Sequence, residues 1–430
     1  MDTQENAAKS VKHDSSILRG DPVYGCAIES RSGHIFCQQC QDFVYDPTLE
    51  EVRSQKRKMG MPNEKKRKLD ELYPSPDDER VIAQNSTVGS CRTPGLRGFF
   101  NMGQTCYMSV ILQSLIHNPL LRNYFLADGH RPSGCTIENC LSCAVEEMYS
   151  EFYGNEKTEG YAAVNILSRS WILKQDMAGC HQQDAHEYFQ FLVDRLHSEI
   201  GGDEAIDSEH CKCILHRVYY GKLRSDVTCS NCKNVTSTED PILDLSLDIK
   251  RQAKRQKLSH GAPGSPTNRL SLHACLDHFT SAEKLAAAEY NCSKCNAQRP
   301  ATKQLSIKQL PPVLCIQFKR FEAGFEAQSA TASKLEMHVD FPLQLDMSPY
   351  STRSVGSKKG ELGELRRTCT YDLSSVIVHI GKLSAGHYIS YSREGGRWYK
   401  FDDHKVCVVS DIEVMNSSAY LLVYVVRNLA

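Results

Sequence analysis

Cys106 stands in "GFFNMGQTCYMSVILQSL", residues 98–115, where a polar, glycine-bearing turn gives way to an apolar run. A cysteine at the start of a helix meets the positive end of the helix dipole and unspent backbone N–H groups. Both favour thiolate over thiol, and the thiolate is the nucleophilic form. Such a nucleophile needs a base. His387, in "LSAGHYISYS", lies between a glycine and a strand-patterned run near the end of the chain, and Asp402 follows fifteen residues later in "GGRWYKFDD". If the two strands pair as a hairpin, the carboxylate comes alongside the imidazole and orients it. The result is a Cys-His-Asp arrangement in which His387 draws the thiol proton and later delivers one to a leaving amine. Asn101, five residues before the cysteine, can turn its side-chain amide toward a developing oxyanion, a donor role worth ~10²–10³ in rate. A cysteine before a helix is by itself commonly a small core residue, so the reading rests on the combination.

The other cysteines point to metal. "CSNC" (Cys229, Cys232) and "CSKC" (Cys292, Cys295) are two knuckles sixty residues apart, each flanked by strand-like sequence. Four thiolates from two such pairs complete a tetrahedral zinc site with no open position, which is the structural type. A second group, "HRPSGCTIENCLSC", offers His130, Cys135, Cys140 and Cys143 within fourteen residues and fits a compact Cys₃His site. Cys211, Cys213 and His216 in "EHCKCILH" suggest a third cluster that lacks a ligand, and Cys37 and Cys40 in "GHIFCQQC" a further small one, with Cys26 and His34 close by.

The elements that position these groups follow from composition and pattern. The chain has 430 residues and 40% hydrophobic content, enough for a sizeable core. Its 51 Lys and Arg nearly balance 52 Asp and Glu, so no global field steers it toward nucleic acid or membrane. "MDTQENAAKSVKHDSS" lacks the apolar core of a signal peptide, and no stretch approaches the ~18 apolar residues of a membrane span. That predicts a soluble intracellular protein, whose nineteen cysteines sit in a reducing compartment where clustered thiols bind zinc or do chemistry. Residues 1–50 read as a small metal-bearing segment, 51–94 as a basic polar linker, and 95–430 as the catalytic domain. Within the last, "YMSVILQSLIHNPLL" and "DAHEYFQFLVDRLHSEI" carry helical spacing. "VLCIQFKRF", "SVIVHIG", "HYISYSR", "RWYKFDD" and "AYLLVYVV" read as strands. Helices first and strands later predict an α+β fold. Polar inserts at 250–268 and 351–364 read as surface loops.

The motifs together resemble the ubiquitin-specific proteases: "GFFNMGQTCYMSVILQSL" their cysteine box, "GCHQQDAHEYFQFLVD" their QQDAHE segment, "KQLPPVLCIQFKRF" the strand segment ending in KRF, and "GHYISYSREGGRWYKFDD" their histidine box. Gln104 and Ser109 stand where many relatives have Asn. The resemblance implies a papain-like cysteine protease fold with thumb, fingers and palm gripping the extended tail of ubiquitin. It implies Cys106 as nucleophile, His387 as base, Asp402 as third triad member, Asn101 as oxyanion donor and Asp403 as a second polar helper. The zinc held by Cys229, Cys232, Cys292 and Cys295 would staple the fingers. The Cys₃His group, with "HNPLLRNYFLADGH" and "EEMYSEFYG" around it, resembles the branch that serves the SAGA transcriptional coactivator. "YGCAIESRSGHIFCQQCQDFVYD" resembles only the last part of the zinc-finger ubiquitin-binding domain of those relatives, which implies a truncated remnant.

Membership of that branch implies ubiquitin, ubiquitinated histone H2B in nucleosomes and the subunits of a SAGA deubiquitinase module as partners, with no membrane. The basic clusters "KRK" (56–58) and "KKRK" (65–68), exposed in the linker, fit nuclear import and hence a nuclear location. Two other readings compete. A catalytically silent zinc-bearing ubiquitin-binding scaffold would be expected to lose the nucleophile or base, and both are kept. A zinc-finger DNA-binding protein would place basic residues beside its knuckles on a groove-entering helix, whereas these knuckles flank strands.

Overall fold

A computed structural model of the chain describes residues 26–28, 35–37, 42–44, 95–154, 159–179, 181–201, 211–249, 270–322, 333–354, 365–382 and 385–428. The chain divides into two units, Met1–Tyr73 and Pro74–Ala430. In the first, Cys26–Ile28, Ile35–Cys37 and Asp42–Val44 form a three-stranded antiparallel sheet with Cys26 opposite Cys37. His34, Cys40, the whole linker 51–94 with its basic clusters, and the insert at 250–268 lie outside the described residues.

The second unit begins with helices. Helix α1 (Cys106–Ile116) is buried along its whole length, as expected of a helix that is apolar nearly all round. Its few polar side chains find partners: Ser109 Oγ and Ser114 Oγ donate to carbonyls of the preceding turn, and Gln113 Nε2 donates to Arg97 O at 2.6 Å. Helix α2 (Pro119–Leu126) starts afresh. Proline cannot continue a helix but suits its first position, and the Asn118 side chain accepts from Leu120 N and Leu121 N as the cap. The single helical run read from "YMSVILQSLIHNPLL" is therefore two helices hinged at His117–Asn118. Then follow α3 (Leu141–Tyr153), α4 (Val164–Leu173), α5 (Ala185–Gly201) and the short α6 (Ile214–Tyr219). No helix among the described residues is long and apolar enough to cross a membrane.

The strands are β1 (Gly221–Cys229), β2 (Val235–Ile242), β3 (Asp244–Leu247), β4 (Glu283–Leu285), β5 (Ala301–Gln309), β6 (Val313–Phe318), β7 (Gln344–Asp346), β8 (Thr370–Lys382), β9 (Ala385–Glu394), β10 (Arg397–Asp402), β11 (Lys405–Val409) and β12 (Ala419–Val426). One sheet, in the order β2-β1-β5-β4, is the long, half-exposed ribbon of the fingers. The larger sheet, β11-β10-β9-β8-β12-β6-β3 with β7 beside β8, is the palm. All its pairs are antiparallel except β6 with β3.

Strand alternation assigns the two faces of the palm. Val313, Cys315, Ile377, Tyr388, Leu421 and Val423 pack with the helices. Their neighbours Leu314, Ile316, Val376, Ile389, Leu422 and Tyr424 pack with Leu272, Leu276, Phe341 and Tyr350 on the other side. This buried-on-both-faces sheet explains why its strands read as nearly continuous apolar runs. Arg320, fully buried after β6, donates to Ala419 O, Leu335 O and Met337 O at 2.6–2.8 Å, tying the segment after Ser333 to the sheet. Of the insert expected at 351–364, residues 351–354 are described and begin as part of the core. Tyr350 ends one 3₁₀ turn and Ser351 lies buried between it and the next, bridging to Ile307.

Candidate active site and metal centres

Cys106 is the first residue of α1, and no side chain caps that helix end. The Thr105 hydroxyl instead accepts Met102 N at 3.0 Å. Asn101 Oδ1 takes Gly103 N and Thr105 N at 3.2 and 3.1 Å, which turns the amide nitrogen outward to Asp403 Oδ2 at 3.4 Å. The expected oxyanion donor is thus held by its own turn, with its amide nitrogen bonded once to a carboxylate that sequence reading placed only as a helper. Gln104 sits in the left-handed region at φ +56° to let the turn enter the helix. Gly98 is required by close approach: a Cβ there would overlap the backbone of Asp403 and His404, and the neighbouring Phe99 N donates to Asp403 O at 3.0 Å. The loop before Cys106 and the loop after β10 are thereby sewn together.

The expected hairpin is present. Strands β9 and β10 pair in the register Ser390 opposite Phe401, and His387 Nε2 lies 2.7 Å from Asp402 Oδ1. Asp403 Oδ2 is 3.9 Å from the same nitrogen, its side chain nearly buried. His387 is pushed up to about 10, chiefly by the Asp402 hydrogen bond and then by the adjoining Cys106; burial opposes this and Asp403 adds to it. With Nε2 committed to Asp402, Nδ1 is the nitrogen left to serve the thiol. Cys106 itself is 2% exposed. A shielded thiol at a helix start, an imidazole and an orienting carboxylate can carry out nucleophilic acyl transfer.

Three further clusters hold sulfur and nitrogen donors close enough to share one metal ion. Cys229, Cys232, Cys292 and Cys295 lie with their sulfurs within 4.8 Å of one another, consistent with Zn–S bonds of about 2.3 Å. The two knuckles close alike, Lys233 after the first and Asn296 after the second being left-handed. His130, Cys135, Cys140 and Cys143 form the second group, with His130 Nε2 at 3.1 Å from Cys143 Sγ and 3.6 Å from Cys140 Sγ. Under it, the buried Glu199 of α5 accepts from Leu141 N and Ser142 N at the start of α3.

The third group is completed by a residue that sequence reading missed. His197 of α5 joins Cys211 and His216, and its Nδ1 lies 3.1 Å from Cys213 Sγ. His197 sits on the apolar stripe of its helix beside Val193 and Leu196. A histidine on such a stripe was the one available signal, and it reads first as core. The first two sets offer four thiol or imidazole donors each and the third groups three, with Cys213 beside His197, all soft or borderline ligands that fit structural zinc and not hard cations. Cys37 belongs to the first unit, and with Cys40 outside the described residues that pair has no described geometry.

Comparison with known proteins agrees with this architecture. The ubiquitin carboxyl-terminal hydrolase family matches residues 97–424. A probable ubiquitin carboxyl-terminal hydrolase 8 of Schizosaccharomyces pombe is 35% identical over 400 residues, covering 92% of this chain and 79% of that protein. Ubiquitin carboxyl-terminal hydrolase 22 of Mus musculus is 36% identical over 431 residues, covering 93% and 80%. Among solved structures, the SAGA Ubp8/Sgf11/Sus1/Sgf73 DUB module bound to ubiquitin aldehyde aligns with a TM-score of 0.66 at 32% identity, covering 94% of this chain and 81% of the matched one.

Metal analysis of protein prepared without chelator is expected to find at least three zinc atoms per chain. His197→Ala is expected to remove one of them and lower the melting temperature, because metal affinity in such sites is folding free energy. Undiminished zinc in that variant would contradict the third site.

Proposed function

The chain belongs to the ubiquitin carboxyl-terminal hydrolase family and is a deubiquitinating cysteine protease, and from this premise we propose how its residues divide the work. Cys106 attacks the carbonyl of the C-terminal glycine of ubiquitin, forming a tetrahedral intermediate and then a thioester. His387 takes the thiol proton through Nδ1 and delivers one to the departing lysine amine, while Asp402 fixes the ring through Nε2. The oxyanion is met by the Asn101 amide and by N–H groups at the uncapped start of α1. Water then enters with His387 as base and releases ubiquitin. Asp403 holds Asn101 in place and adds negative charge beside His387. The observation that carries this reading is His387 held 2.7 Å from Asp402 on the hairpin that packs beside the buried Cys106.

The finer reading is that the substrate is monoubiquitinated histone H2B on nucleosomes, cut by this chain within a SAGA-type module in the nucleus, with zinc as structural support. Three observations support it. The similar solved structures are titled as SAGA DUB modules, one bound to ubiquitin aldehyde and another to monoubiquitin. The similarity runs over most of the chain. The linker carries two basic clusters suited to import. A silent scaffold is the weaker reading, since nucleophile and base are both kept and His387 is held by Asp402.

Cys106→Ala is expected to abolish hydrolysis of ubiquitin with a fluorogenic C-terminal amide while leaving ubiquitin binding intact. Asp402→Asn should lower kcat by about 10²-fold or more, and Asp403→Asn by less, since only Asp402 bonds the ring directly. With nucleosomes monoubiquitinated on H2B, the protein should release ubiquitin faster when module subunits are added. Cleavage of free ubiquitin chains with no action on such nucleosomes, partners present, would contradict the substrate assignment.

A further inference from the structure

Gln182, half-buried in the loop that enters α5, makes two hydrogen bonds to a single residue across the site. Gly386 N donates to its Oε1 at 2.8 Å, and its Nε2 donates to Gly386 O. A primary amide carries the same donor and acceptor as a peptide unit, so Gln182 does for Gly386 what a neighbouring strand would do. Gly386 needs such a neighbour. On one side β9 is paired with β8, Gly381 opposite Gly386, but on the other β10 joins only from Ser390 onward. The residue just before His387 therefore lies on a strand edge that its own sheet leaves uncovered.

Both partners of this contact are fixed from behind. Asp184, two residues after Gln182, accepts Tyr420 OH at 2.7 Å and takes His186 N at the start of α5, while Gln183 Nε2 donates to Asp176 O at 3.3 Å. Behind Gly386 stands the ring of His379. A Cβ on Gly386 would overlap that ring and come within 2.8 Å of Ile380 O. Burial, with Lys334 adding to it, holds His379 down to about 4, so this wall stays uncharged at neutral pH. Gly386 is thus gripped between a neutral ring and a side-chain amide.

We propose that Gln182 is a positioning residue: its paired hydrogen bonds to Gly386 hold the peptide that leads into His387, and so keep the imidazole between Asp402 and Cys106. This rests on the reading of Cys106 and His387 as the catalytic pair. The titratable groups that face His387 are Asp402, Asp403, Cys106 and, farther off, His379. Gln182 carries no charge, so its replacement by a neutral residue changes where the ring sits and leaves its charged surroundings alone. Displacement of the ring weakens its interaction with the thiol, and a higher pH is then needed to reach the reactive thiolate.

The test measures iodoacetamide alkylation of Cys106 against pH in the full-length protein, without ubiquitin, read by mass spectrometry of the Cys106 peptide. It compares wild type, Gln182→Leu and Gln182→Asn, beside kcat and KM on the fluorogenic ubiquitin amide. Gln182→Leu, similar in size but without hydrogen bonds, is expected to raise the pH midpoint of alkylation by about one unit, a roughly tenfold slowing at a fixed pH below it. Its kcat should fall by a comparable factor with KM little changed. Gln182→Asn keeps a neutral amide on a shorter side chain and should fall between; it carries the test alone should the leucine variant not fold. Alkylation profiles that superimpose on wild type overturn the proposal. A raised KM with an unchanged profile would assign Gln182 to gripping the extended tail of the substrate instead. A wild-type Cys106 that alkylates without pH dependence would remove the catalytic pair itself, and the proposal with it.

Discussion

Helix α1 lies along strand β9, and the geometry of the site follows from that contact. The helix presents Cys106 at one end and the strand presents His387 at the corresponding end. At the far end His117 Nδ1 meets Glu394 Oε2 at 3.2 Å, and Arg122 reaches the same carboxylate at 3.0 Å. Burial pushes His117 down and works against charge on Glu394, yet its His117 and Arg122 partners hold that carboxyl below its ordinary range. The helix is thus braced against the strand well beyond the reacting atoms. Because α1 is buried on every side, it cannot rotate or slide without opening voids in the core, each costing stability. The close approach at Gly98 completes the brace by tying the turn before Cys106 to the loop that bears Asp403.

Helix α5 links the site to the metal centres. Its first turn, through Asp184, is fastened to Tyr420 of the palm, and His186 pairs with Asp244 at 3.0 Å. Its last turns supply His197 to the third cluster and Glu199 to the floor of the second. The same helix therefore spans from the loop that grips Gly386 to two clusters far from the thiol. Metal held at these clusters would have a physical route to activity without any part in the chemistry: its loss would free the C-terminal half of a helix whose entry loop supports the site.

Much of this was legible in the sequence because each functional group sits in a local pattern. Cys106 precedes an apolar run, His387 and Asp402 flank one hairpin, and the knuckles announce themselves by spacing. The α+β order and the palm strands followed from periodicity. What was hidden depends on tertiary closure. His197 reads as a core position until Cys211, Cys213 and His216 fold back onto α5. The tie from Asn101 to Asp403 joins residues some three hundred positions apart, and Gln182 carries no signal of its own that it would serve as a strand for Gly386. The break at His117 was present as Pro119 but was overridden by the apolar spacing on both sides.

The account stands on Cys106 being the one thiol made reactive by its place beside His387, although many other cysteines lie in the same domain. Ubiquitin carrying an electrophile in place of its C-terminal carboxylate tests this directly, with the adduct located by mass spectrometry of the intact protein and its peptides. The account predicts a single ubiquitin attached at Cys106, and none on the Cys106→Ala variant. Attachment at another cysteine, or an unmodified Cys106 in folded, metal-replete protein, would contradict it.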